Sequence, residues 1–70
     1  MRAKIVVRLR YARDVVISES FDFASKLTAS QFHGDFWNAR FASNDKVFTT
    51  MYVFDDEARR WRVAEVINWG

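Results

Sequence analysis

Seventy residues suffice for one domain, and with no cysteine among them a disulfide, a thiolate metal site and a sulfur nucleophile are excluded. Eleven Lys and Arg against nine Asp and Glu leave a net charge of +2, a milder bias than a dedicated duplex-DNA binder carries. Seven Phe, three Trp and two Tyr supply a dense core for so short a chain.

Residues 4–10 alternate, with Ile5, Val7 and Leu9 on one side and Lys4, Arg8 and Arg10 on the other; Val6 breaks the pattern. Period two with β-branched residues predicts a half-buried strand. Tyr11–Asp14 reads as a turn, and Val15–Ile17 as the second arm of a hairpin, the competing reading being one long, bent strand. From Ser20 to Gln31 the period lengthens: Phe23, Ala24 and Leu27 form a narrow apolar stripe, which predicts a short helix. Ser20 or Asp22 is placed to cap it, and Gly34, just after His33, to end it.

Asp35–Ala42 alternates again, with Trp37, Ala39 and Phe41 opposite Asn38 and Arg40, and predicts a strand. Ser43–Lys46 has turn composition. Val47–Phe54 is apolar on both faces, as expected of a central strand covered on both sides or of one with a face given to binding. Asp55–Ala58 turns the chain into a last strand, Arg60–Trp69, whose alternation slips near Ala64, where a β-bulge accounts for it. The expected fold is α+β in the order β-β-α-β-β-β: an antiparallel curled sheet, one short helix packed on one face, the other face open.

Three apolar residues, Ile5–Val7, precede Arg8, too few for a signal-peptide core, and no apolar run approaches the ~20 residues that span a bilayer. The expectation is a soluble, cytoplasmic domain, as a monomer or small homo-oligomer. His33, the one histidine, has no spaced nucleophile or carboxylate motif and reads as a helix-end residue that favours the dipole. Asp55, Asp56 and Glu57 are adjacent, whereas a calcium loop spreads its oxygens over about twelve residues, so they read as a solvated turn. No cofactor, no metal and no enzymatic activity are expected. Trp37, Trp61 and Trp69 read as core, Trp69 being the most exposed of them.

Eight of the eleven cations are Arg. Arg8, Arg10, Arg40, Arg60 and Arg62 all fall on the outward parity of expected strands, with Asn38 beside them and Phe48 or Tyr52 able to join. The expected partner-binding set is Arg8, Arg10, Asn38, Arg40, Tyr52, Arg60 and Arg62. Arginines among aromatics grip a phosphate backbone and stack bases, or anchor a protein interface; alone, they only solubilise a face.

The order of a helix with Leu27 and Ser30-Gln31, then Phe32-His33-Gly34, a strand hairpin, Tyr52 ahead of Asp55-Asp56, and Arg60-Trp61 opening the last strand resembles small phage-encoded anti-CRISPR proteins that inhibit type I CRISPR surveillance complexes. The resemblance implies a five-stranded antiparallel sheet with one helix. It implies a stoichiometric inhibitor without an active site, working in the host cytoplasm by occupying a protein or nucleic-acid surface of a host ribonucleoprotein complex. A nucleic-acid-binding module is the alternative.

Overall fold

The computed structural model describes residues 1–11, 15–42 and 46–68, with residues 15–17 described through their backbone. Four strands and one helix follow in the order β1 (Arg2–Leu9), β2 (Val15–Asp22), α1 (Lys26–Phe41), β3 (Val47–Asp55) and β4 (Arg60–Ile67). The strands form one antiparallel sheet in the spatial order β2-β1-β3-β4. The α+β class is as expected. Among the described residues there are four strands, and α1 carries the chain from the β2 edge across β1 to β3.

The hydrophobic core lies between α1 and one face of the sheet. Ala3, Ile5 and Val7 of β1 and Val47 and Met51 of β3 point there and are buried against Ala29 and Phe36 of α1. β1 and β3 sit in the middle because their alternate positions are the most continuously β-branched or apolar. Toward the β2 edge the helix rests on rings: Phe32 lies 4.7 Å from Phe21 and 5.3 Å from Phe23 between centroids, and 6.3 Å from Phe36. These tilted ring pairs each add about 0.5–1.5 kcal/mol beyond their buried area.

The strand expected over Asp35–Ala42 is instead the second half of α1. Trp37, Ala39 and Phe41 do alternate, but Trp37 and Phe41 are also four apart, and their rings meet at 5.8 Å on the helix. Ala29, His33 and Phe36 recur at the helical period and are all buried. Gly34 does not end the helix. A Cβ added there would meet nothing within 4 Å, and its φ is not positive. A mid-helix glycine costs about 1 kcal/mol relative to alanine, less than the burial gained on its two sides.

The start of the helix also moves. Ser20 and Asp22 belong to β2, and the cap is Ser25. Its Oγ accepts from the Thr28 amide at 3.3 Å, while its own amide donates to Thr28 Oγ1 at 3.0 Å. This reciprocal pair is a capping box with threonine in the place usually held by glutamate.

The bulge expected at Ala64 is present: Met51 pairs with Glu65 and Tyr52 with Val63, so Ala64 is the extra residue of β4. The Asp55–Ala58 turn is held by Asp55, whose Oδ1 accepts from the amides of Glu57 at 3.0 Å and Ala58 at 3.1 Å. Trp69 lies outside the described residues, as do parts of the expected turns at Tyr11–Asp14 and Ser43–Lys46.

Candidate binding face of the sheet

The helix covers one side of the sheet, and the opposite side carries the even positions of β1 and β3. Register sets Arg2, Lys4, Val6 and Arg8 of β1 beside Phe54, Tyr52, Thr50 and Phe48 of β3. Trp61 and Val63 of β4 complete the row next to Phe54 and Tyr52. On the β2 side the neighbours are the exposed Ser18, Ser20 and Asp22.

This face has two parts. At the Arg8 end, Val6, Thr50 and Phe48 are buried although no helix covers them. At the Arg2 end, the side chains are partly or fully exposed and form a ladder of cations on rings. The Arg2 guanidinium lies 4.3 Å from the centre of the Phe54 ring and 5.4 Å from that of Trp61. The Lys4 ammonium lies 4.6 Å from Trp61 and 5.2 Å from Tyr52. Phe54 and Trp61 meet edge to face, 5.2 Å apart at 75°. Each exposed cation–ring contact contributes about 0.5–1 kcal/mol. Val63, beside Tyr52, is 61% exposed.

The seven residues expected to bind a partner do not share this face. Tyr52 lies on it, under Lys4. Arg8 lies on it too, half-buried opposite Phe48 and about 13 Å of strand away from Lys4. Arg10 ties the ends of three strands: its Nη2 donates to the Asn68 carbonyl at 2.6 Å, its amide to the Lys46 carbonyl at 2.8 Å, and Asn68 Nδ2 to the Val47 carbonyl at 2.9 Å. Asn38 and Arg40 are exposed on α1, where Arg40 covers the Phe36 ring at 4.6 Å. Their outward parity was that of a strand, and the segment is helical.

Arg60 and Arg62 are exposed on the other side of β4, in register with Asp55 and Val53. Arg62 Nε donates to Asp55 Oδ2 at 2.6 Å. With the Glu57 and Ala58 amides, that guanidinium holds the Asp55 carboxyl below the usual carboxylate range. The five arginines are therefore scattered over both layers of the molecule. The parity of β4 is the reverse of the expected one: Trp61 and Val63, expected inward, face out beside Arg2 and Lys4. Those two cations, with Phe54 and Trp61, are the functional candidates that sequence reasoning missed. Their signal was the even parity of β1, in which Arg2, Lys4 and Arg8 share a row.

A second polar cluster lies between the layers. His33 is fully buried in the middle of α1 rather than at its end. Its Nδ1 is 2.7 Å from Glu65 Oε1, its Nε2 is 2.7 Å from Thr49 Oγ1, and Ser30 Oγ donates to Glu65 Oε2 at 2.6 Å. Burial holds the imidazole below its ordinary pKa, against the opposing pull of the Glu65 hydrogen bond and charge. In the neutral ring Nδ1–H donates to Glu65 and Nε2 accepts from the Thr49 hydroxyl. The order hydroxyl, imidazole, carboxylate is that of a nucleophilic relay, but Thr49 is fully buried and no substrate atom reaches its oxygen. The cluster fastens α1 to β3 and β4.

A recess of about 220 Å³ near the first turn of α1 is rimmed by Lys26, Asp55 and Arg62, and its one acid is the carboxylate already paired with Arg62. Among the described residues no group of three or more His, Asp or Glu converges to hold a metal ion, and no helix is long and apolar enough to cross a membrane. No family model, curated protein or solved structure matches the chain.

Proposed function

We propose that this domain is a non-catalytic binding module and that its open sheet face takes nucleic acid. The observation that carries the reading is the Arg2–Lys4 ladder over Tyr52, Phe54 and Trp61. Cations supply phosphate contacts and ring faces supply stacking, the two components of sequence-tolerant nucleic-acid binding. Among the described residues the face carries three β1 cations, Arg2, Lys4 and Arg8, against the single exposed carboxylate of Asp22 beside Arg2. Three neutralised phosphates on a single strand give a salt slope of about −2, so affinity should fall about 20-fold between ~50 and ~200 mM salt. Fluorescence anisotropy of labelled single-stranded and duplex oligonucleotides at those two salt levels tests this. Absence of binding to either at the lower level ends the reading.

A second reading makes the same face a protein-docking surface, with the domain acting as a stoichiometric inhibitor of a host defence complex such as a CRISPR effector. Val63 of β4, 61% exposed and two residues from Trp61 on the same face, favours it, since apolar and aromatic residues beside arginine characterise interface anchors. The anti-CRISPR resemblance supports it through one helix on an antiparallel sheet, whereas its implied fifth strand is a helical segment here. Size-exclusion chromatography with a reconstituted type I surveillance complex tests it: the domain should co-migrate, and Trp61→Ala should release it. Separate elution of the wild-type domain from such complexes removes this reading.

A further inference from the structure

The cations of the ladder occupy the ring faces on which a base would stack. Lys4 stands between Trp61 and Tyr52, within 4.6 and 5.2 Å of their centres, and Arg2 covers Phe54 at 4.3 Å. A base and an ammonium group cannot both lie on the same side of one ring. Resting on the nucleic-acid reading of this face, we infer that its ligand is single-stranded and that its bases displace Lys4 and Arg2 from the rings, sending both cations to the flanking phosphates.

Strand geometry selects the single strand. Tyr52 and Phe54 are two residues apart on one face of β3, so the two rings are offset by about 6.8 Å along the strand. Successive bases along a duplex strand rise about 3.4 Å. Two neighbouring bases can engage both rings only after parting from each other, which a paired, stacked duplex resists and a flexible single strand allows. Trp61, edge-on to Phe54 and adjacent to it across the β3–β4 pair, widens the platform at the same level.

The exchange is favourable. A cation resting on an exposed ring contributes up to about fivefold in an equilibrium constant. Base stacking contributes between about 5- and 150-fold per base. The displaced Lys4 and Arg2 are not lost to the complex, because each exchanges a ring for a phosphate oxygen with a stronger, charge-assisted hydrogen bond. In the free domain the two cations keep the rings covered, so the platform is uncovered by its own ligand.

The test uses the intact domain at low salt with three probes: an oligothymidylate of about twelve nucleotides, an abasic sugar-phosphate strand of the same length, and a duplex of the same length. Oligothymidylate should bind at least about tenfold more tightly than either other probe. Tyr52→Leu and Trp61→Leu should each weaken oligothymidylate about fivefold or more and leave the abasic strand unchanged. The ε-methylene protons of Lys4, shifted upfield by the rings above which they lie, should move toward unshifted values on saturation with oligothymidylate. Equal affinity for the abasic and thymidine strands overturns the stacking inference while the nucleic-acid face stands. A Lys4 resonance that stays shifted in the saturated complex overturns the displacement. No binding of any probe overturns the inference together with the reading beneath it.

Discussion

Met51 and Tyr52 are neighbours in β3 and live in different surroundings. Met51 points under α1, 1% exposed, among Ile5, Val7 and Phe36. Tyr52 points the other way and is covered by a lysine. The contrast extends to both faces. On the helix side every member of the Ser30–Glu65–His33–Thr49 chain has a partner, as the fully buried His33 and Thr49 require. On the open side the cations of the Arg2 end rest on rings at the surface, partly or fully exposed. A strand apolar on both faces thus has two surroundings here: one face is core, and the other carries the rings of the proposed binding face.

Substitutions at adjacent positions break this contrast in opposite ways. Met51→Ala should destabilise the domain by about 2–5 kcal/mol in urea unfolding, from lost burial and the cavity left behind. His33→Leu should cost about 1–3 kcal/mol, because it leaves the buried Thr49 hydroxyl without its imidazole partner and removes one of the two side-chain bonds to Glu65, which keeps Ser30. His33 also gives the helix side a pH signature. Its folded pKa lies below the ordinary value of 6.5, so the unfolded chain takes up the proton first. Its contribution to stability is complete above pH 6.5 and is lost as pH falls toward and through the lowered folded value. His33→Leu should remove that component of the decline, as read from urea midpoints across the pH range.

Smaller effects belong to the rim. Asp55 is depressed by Arg62 and by two amides, so its contribution is present above the ordinary value of 3.8 and fades as pH falls through the folded one. Asp55→Ala should speed hydrogen exchange at the Glu57 and Ala58 amides, with little change elsewhere. Smallest of all, Tyr52→Leu should change folding stability by less than about 1 kcal/mol, although the same substitution should weaken binding.

Much of the sheet was legible because its signals are local. β3 and the Ala64 bulge are written in side-chain parity, which needs only the neighbouring residues. The helix was legible in kind and misplaced in extent. Gly34 looks like a stop, and Trp37, Ala39 and Phe41 satisfy period two as well as the four-residue spacing. Only packing against the sheet decides between them. The expected outward residues fall on different faces for a related reason. Arg40 was outward on a strand that does not exist. Parity alone puts Arg60 and Arg62 opposite Trp61 and does not say which side is core; on the edge strand β4, Trp61 and Val63 face out beside the β1 cations. The His33 network joins residues 16 and 32 positions apart, a separation that no short motif spans.

The two layers can be set against each other directly with a pair of charge reversals, Lys4→Glu on the open sheet face and Arg40→Glu on the outer side of α1. Both are exposed or half-exposed cations, and each covers a ring. Anisotropy with oligothymidylate at ~50 mM salt should show binding abolished in Lys4→Glu and unchanged in Arg40→Glu. Equal losses in the two variants, or none in Lys4→Glu, would contradict the assignment of ligand binding to the uncovered side of the sheet.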